Sequence, residues 1–514
     1  MESIKEGRIP TVKSVDEIVR HHELTHEGLW HRFRRWPRLS LWALALSISI
    51  LLYGYDNVIV GNITSVSAFQ RHYGEWLDER YIISSGWLAV WSIASPIGQM
   101  IGSVFGGPLQ DRFGRRWSLA SSSLLCAAGV AVCFFSDLLT SSDGRRGTFT
   151  VGKFVEGASI GIMSATTITY MSEVLPPGLR GPILAFFPIF TLLGQALGAV
   201  AVFTSMDYPG HLPFRIPFAS QWPFNAAALI LAWFLPESPV WLLRIGREDK
   251  AAACQRRLTD NAETIVAELK ETLRHEQEYS MAAGYIECFK GVDRRRTLIV
   301  IFANCLPQLW GLKLMSLVSY FLQIVGLGEG LSLIILIVGI VVGIFANIAS
   351  LWTLKAFGRR PLTVVTLGVT SVIWASVSVA GCFGGSAAVW YVVAGLIMVV
   401  ITCSVGVWPA SYAIAAETSS LRVRALSQGI GGFASGLSTV IFGIILPYIF
   451  NPDAGNLRGK TGFVYTGFSI VGLAITWFYV PEMKDRRAAD IDAMFEAKLP
   501  ARKFKTWTPP EVDG

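Results

Sequence analysis

Three separated charged motifs occur twice in this chain at one spacing. Gly114-Arg115-Arg116 returns as Gly358-Arg359-Arg360, and Glu173 and Arg180 return at the same offset as Glu417 and Arg424. Pro236-Glu237 returns as Pro481-Glu482, one residue further along. A constant offset across motifs this far apart marks an internal duplication. Each motif closes an apolar segment, so the duplicated unit is a bundle of membrane-crossing helices.

Apolar residues make up 52% of the chain and charged residues 16%. The apolar residues gather into twelve runs of roughly 20 residues, enough to cross about 30 Å of hydrocarbon. The runs start near Leu41, Ile82, Trp117, Val151, Ile183, Phe218, Leu298, Leu331, Leu362, Val389, Ala425 and Phe463. The predicted fold is an all-α membrane protein, twelve transmembrane helices in two parallel six-helix repeats with a cytoplasmic linker of short helices. Parallel repeats about an axis along the membrane normal are a transporter architecture. The expected organisation is an N-terminal segment over 1–40, a first bundle over 41–236, a linker over 237–296, a second bundle over 297–480 and a tail over 481–514.

The first forty residues are too polar and too long for a signal peptide, which predicts a cytoplasmic start. Arg32, Arg34, Arg35 and Arg38 precede the first run, as the positive-inside rule expects. Twelve crossings return the tail, with Lys498, Arg502 and Lys503, to the same side. Arg145 and Arg146, in the third loop, depart from that pattern. The net charge of +7 then reflects topology, and no basic stripe with interleaved aromatics points to nucleic acid. The seven cysteines form no CxxC pair, so neither a disulfide framework nor a metal site is implied. No catalytic spacing or cofactor motif is evident, and the chain is not expected to be an enzyme. Apolar residues at helical spacing in the linker (Leu258, Ile265, Leu269, Leu273) predict short amphipathic helices that brace the inner face or serve as a partner platform.

The segment from Gly106 to Arg116, GGPLQDRFGRR, resembles the signature between helices 2 and 3 of the major facilitator superfamily. With Pro236-Glu237-Ser238-Pro239 and Val480-Pro481-Glu482, the pattern is similar to the sugar porter family across nearly the whole chain. Tyr53-Gly54-Tyr55-Asp56, the stretch Ala68 to Gly74, the stretch Ala416 to Arg424 and Pro500-Ala501-Arg502-Lys503-Phe504 further resemble fungal α-glucoside (maltose-type) permeases. That resemblance implies a proton symporter of the plasma membrane. The expected partners are a small-molecule substrate, a proton and the bilayer, and the expected state is a monomer.

The charges on the inner face form a candidate gate. Asp111, Arg112, Arg115, Arg116, Glu173 and Arg180 lie on the first half, and Arg359, Arg360, Glu417 and Arg424 on the second. Paired across the halves, they hold the inner side shut while the cavity opens outward. Exposed pairs of about 0–1 kcal/mol suit a gate that must open. Their alternative role is interfacial anchoring. Lys355 replaces the acid that the family carries before the second Gly-Arg-Arg loop.

Charges within a bilayer are rare, expensive and functional by default. Asp56 sits in an otherwise apolar first run, where the resemblance implies a proton-coupling acid. Its expected partner is Lys153, where the family commonly has arginine, with Glu156 on the same helix face as an alternative proton carrier. Two plainer readings stand beside this one: Asp56 in a fixed structural ion pair, and Lys153 snorkelling to the headgroups.

The resemblance places the substrate site on Gln195, Gln308, Trp408 and Tyr412. The sequence departs from the family there, since Pro307 replaces a glutamine, Lys313 an asparagine and Pro188 a frequent glutamine. Lys313 is expected to contact an anionic substrate or to neutralise Asp56 or Glu156 across the cavity. The primary expectation is proton-coupled uptake of a sugar or glycoside. The alternatives are transport or export of a carboxylated or other non-sugar metabolite, and a non-transporting sugar receptor.

Overall fold

The computed structural model describes residues 34, 36–77, 79–176, 183, 187–259, 262–280, 284–420, 423–484, 486 and 488–507. Helices dominate it. The first half comprises α1 (Pro37–Thr64), α2 (Ser67–Tyr73), α3 (Ser85–Phe113), α4 (Arg115–Phe135), α5 (Ser142–Val174), α6 (Phe187–Ser205), α7 (Leu212–Ala219) and α8 (Trp222–Phe234). The linker carries α9 (Pro239–Arg244), α10 (Glu248–Leu258) and α11 (Ala262–Ser280). The second half comprises α12 (Gly291–Trp310), α13 (Leu312–Ser316), α14 (Val318–Val325), α15 (Glu329–Phe357), α16 (Arg359–Ala380), α17 (Ser386–Val405), α18 (Val407–Thr418), α19 (Arg424–Phe450) and α20 (Gly462–Tyr479). A tail helix, α21 (Ala488–Glu496), packs Met494 and Phe495 in one cluster with Ile299 and Ala303 of α12.

Among the described residues, nine helical segments are long and apolar enough to cross a membrane. The other three crossings are interrupted or polar. The fourth, α5, carries Arg146, Lys153 and Glu156. The sixth is divided at Ser220-Gln221 into α7 and α8, and the seventh breaks at Gly311, whose φ of 113° is left-handed. A broken helix leaves backbone groups unpaired, which a membrane tolerates where the backbone lines protein or a cavity.

The duplicated motifs build the same junction twice. Gly114 joins α3 to α4 with φ 90° and ψ 171°, and Gly358 joins α15 to α16 with φ 85° and ψ 175°. Only glycine holds that conformation readily. The tight turn lets a carboxylate cap the next helix: Glu237 accepts from the Arg115 amide at 2.9 Å, and Glu482 from the Arg359 and Arg360 amides at 3.2 and 3.1 Å. A negative group at a helix N-terminus meets both orphan amides and the positive end of the dipole.

On the opposite face a short antiparallel hairpin, β1 (Glu75–Leu77) and β2 (Arg80–Ile82), pairs Trp76 with Tyr81. The departing arginines have their reason here. Arg146 is buried and donates to the carbonyls of Tyr73 and Gly74 and to Glu75, while Arg145 donates to the His72 carbonyl. They hold the α2–hairpin cap together. On this hairpin side the halves are bonded together. Ser319 donates to the Gly61 carbonyl at 3.0 Å, Gln70 to Gln323 at 3.0 Å, Gln323 to the Ser65 carbonyl and Ser67 to Glu329. Asn451 reaches the Ile83 carbonyl at 2.8 Å, and Asp453 accepts from the Ser85 amide at 2.6 Å.

The junction makes a stability prediction. A Cβ on Gly114 meets the Glu237 carboxylate in a glycine-only conformation, whereas a Cβ on Gly339, in mid-α15, meets nothing within 4 Å. Gly114→Ala should therefore lose about 1–3 kcal/mol. Gly339→Ala should be neutral or slightly stabilising, since glycine weakens helix interiors. Thermal unfolding of the two variants in detergent checks the contrast.

Candidate functional site

Helix packing in the first half brings three charges together. Glycines on both sides of the α3–α5 crossing let the backbones approach closely. A Cβ on Gly157 meets the Ser95 carbonyl, and one on Gly98 meets the Phe154 carbonyl. That crossing seats Ser95 and Gln99 beside Asp56 of α1. The Lys153 ammonium, fully buried, donates to Asp56 and to Glu156, the latter at 2.9 Å. Asp56 also accepts from Ser95 and, at 3.3 Å, from Gln99. Lys153 thus points into the bundle and does not snorkel.

Two carboxylates and one ammonium, all ionised, leave one net negative charge; one added proton makes the cluster neutral. Unpaired charges at this depth are costly, so each group depends on the others. Glu156 uses one carboxylate oxygen on Lys153, and its other oxygen is buried without a partner among the described residues. Ser95 and Gln99 carry no charge signal, and only their spacing on the α3 face that meets α5 could have flagged them.

Lys313 lies on α13, directly after the Gly311 break, and donates to the Ser92 carbonyl of α3 at 2.9 Å. It shares with Asp56 a void of about 20 Å³. Gln308 is buried, donates to Thr439 at 2.8 Å and keeps its carbonyl oxygen without a partner. Trp408 packs near Trp310, ring centroids 6.2 Å apart, while Tyr412 on the same helix is exposed. Gln195 is half-buried on α6, as is Pro188. A second cavity of about 520 Å³ opens on the hairpin side, lined by Arg71, Trp76, Arg80, Tyr81 and Gln323.

The charges on the opposite face pair within each half in this conformation. Arg115 donates to both oxygens of Glu173, at 3.0 and 2.6 Å, and the pair is 2% and 10% exposed. Ser238 also donates to Glu173, and Asp111 lies 3.4 Å from Arg115 while mostly exposed. Arg359 meets Glu417 at 2.7 Å in a looser pair. Arg116 lies over Trp117 and Trp233, Arg360 over Trp477 and Arg112 over Phe113. Arg424 is exposed, and Arg180 lies outside the described residues. The motif repeats because each half needs its own junction, and burial takes Arg115–Glu173 out of the range of an exposed surface pair. Burial also pushes the Glu237 carboxyl up, against the amides of Ser238, Arg115 and Arg116 that pull it down.

Residues 42–495 match a family profile described as sugar (and other) transporter. The chain is 32% identical over 470 residues to the MFS transporter fmqE of Aspergillus fumigatus, covering 88% of this chain and 85% of that protein. It is 27% identical to the maltose permease MAL31 of Saccharomyces cerevisiae, covering 92% of this chain and 78% of that one. Among solved structures it resembles the inward open conformation of the xylose transporter XylE from E. coli, with a TM-score of 0.72 at 19% identity over 89% of this chain and 99% of that chain. This last likeness concerns the fold.

Removing the central cation tests the cluster. Lys153→Gln should cost about 3–5 kcal/mol, because two acids are left facing each other in a dry site. Adding Asp56→Asn should recover part of that loss. Unfolding temperatures of the single and double variants in detergent check both expectations.

Proposed function

Because the chain belongs to the sugar (and other) transporter family, we propose that it is a proton-coupled carrier that takes up a sugar or glycoside by alternating access. The Asp56–Lys153–Glu156 cluster carries this reading. It holds two acids and one base out of water, so a single proton moves it between a net negative and a neutral state. Asp56 is the proton carrier and Glu156 the alternative. A maltose permease among the relatives and a neighbour titled a proton:xylose symporter support the solute class and the coupling.

Gln195, Gln308, Trp408 and Tyr412 supply the solute site, where the free carbonyl oxygen of Gln308 suits a hydroxyl donor. The carrier sits in the plasma membrane as a monomer, with both termini and the linker cytoplasmic. The Arg115–Glu173 and Arg359–Glu417 groups form the inner gate by exchanging partners across the halves when that side closes. A second reading has its own observation. Lys313 stands where the sugar-binding pattern has an asparagine, and an ammonium cannot accept a hydrogen bond from a hydroxyl. It favours a carboxylated solute, moved inward or outward.

Uptake of labelled glucose, maltose, quinate and a polyketide acid into transporter-deficient cells, with and without a proton gradient, separates the readings. For the solute that is moved, Asp56→Asn should abolish accumulation against a gradient while exchange continues. Accumulation that survives in Asp56→Asn but fails in Glu156→Gln transfers the proton to α5. Survival in both variants contradicts the proposal.

A further inference from the structure

Lys313 sits in a place built for it from both halves. It follows Gly311, whose left-handed backbone turns α13 away from the axis of α12. Its ammonium crosses from the second half to the Ser92 carbonyl of α3 in the first. That carbonyl is available because Pro96 stands four residues later in the same helix and has no N–H to give it. Gly443 of α19 packs against this contact, since a Cβ there would stand 3.4 Å from both the lysine Cε and the Ser92 oxygen and 2.9 Å from the Ile93 side chain. The void of about 20 Å³ between Lys313 and Asp56 has room for one bridging water.

The charges complete the picture. The titratable groups facing this region are Tyr53, Tyr55 and Asp56 from α1, Cys126 and Cys133 from α4, Lys153 and Glu156 from α5, and Lys313 itself. From α3 come Ser92, Ser95 and Gln99, and from α19 Gly443, none of which carries charge. The cluster with both acids ionised is one charge negative, and Lys313 balances it. A proton on either acid removes that balance and leaves one uncompensated positive charge beside Lys153. Lys313 also belongs to the broken-helix unit α13–α14, from which Ser319, Tyr320 and Gln323 donate to the Gly61, Ile83 and Ser65 carbonyls of the first half and close the hairpin side.

We infer that Lys313 is a latch between the halves: held on Ser92 and balanced by the ionised Asp56–Lys153–Glu156 cluster, it keeps the hairpin side closed, and protonation of the cluster releases it. This rests on the reading that the cluster takes up the coupling proton. Lys313 is a positioning residue here, acting on the gate through α14.

The test is a distance across the hairpin side. Spin labels at Leu139→Cys and Phe383→Cys, both exposed on loops of opposite halves, are introduced with Cys254, Cys305 and Cys382 changed to serine. Double electron–electron resonance on the purified full chain then reads closed and open populations. The open-to-closed ratio should rise about tenfold or more between about pH 8 and about pH 5, as the cluster takes up its proton. Lys313→Gln should hold the ratio high at both pH values, and Lys313→Arg, which keeps the charge, should restore a pH response. Pro96→Ala gives the Ser92 carbonyl a competing helical donor without touching any charge. It should raise the open fraction at about pH 8 as well. A Lys313→Gln protein with the same pH-dependent ratio as the parent overturns the latch, as does a Pro96→Ala protein that stays closed. Failure of the proton-site reading looks different: Asp56→Asn and Glu156→Gln both keep gradient-driven accumulation.

Discussion

One buried ammonium organises the first half of this protein. Lys153 lies fully out of solvent on α5 and ties Asp56 of α1 to Glu156 on its own helix. A lone charge at that depth is not tolerated, so the position of α1 relative to α5 is fixed by pairing as much as by packing. The glycine-lined α3–α5 crossing serves the same end, because it carries Ser95 and Gln99 to the remaining face of Asp56. The same dependence makes the site responsive. Two acids sharing one base are one proton away from neutrality, and that proton reaches every neighbour that feels the cluster's charge.

The duplication separates scaffold from chemistry. The junctions are repeated atom for atom in kind: a glycine with φ near 90°, an arginine pair and a glutamate that caps the next helix. The ion cluster is not repeated. At the offset that relates Gly114 to Gly358, Asp56, Lys153 and Glu156 are answered by Val300, Ile397 and Val400. The second half instead contributes the broken α12–α14 unit, with Gln308 and Lys313 at the break. The buried acids sit in one bundle and the Gly311 break with Lys313 in the other, so the two meet only where the halves touch.

The spans were legible because length and hydropathy are all that a bilayer crossing demands, and the duplication set their grouping. The breaks at Ser220 and Gly311 were less visible, since apolar residues continue through both. The charged members of the cluster stood out against an apolar background, whereas Ser95 and Gln99 carried no such contrast. Which half each inner-face charge would pair with was beyond spacing: Arg115 meets Glu173 and Arg359 meets Glu417 through the packing of α4 on α5 and of α16 on α18. Pro96 shows the same limit. Its meaning depends on the free Ser92 carbonyl finding Lys313 from the other half.

The central claim is that Asp56, Lys153 and Glu156 bind one exchangeable proton, and infrared difference spectroscopy reads that without knowledge of the solute. On acidification of the purified protein, a protonated-carboxyl band should appear that is lost or shifted in Asp56→Asn or Glu156→Gln and unchanged in Glu173→Gln. A band unaffected by either of the first two substitutions, or abolished by Glu173→Gln alone, would contradict the account.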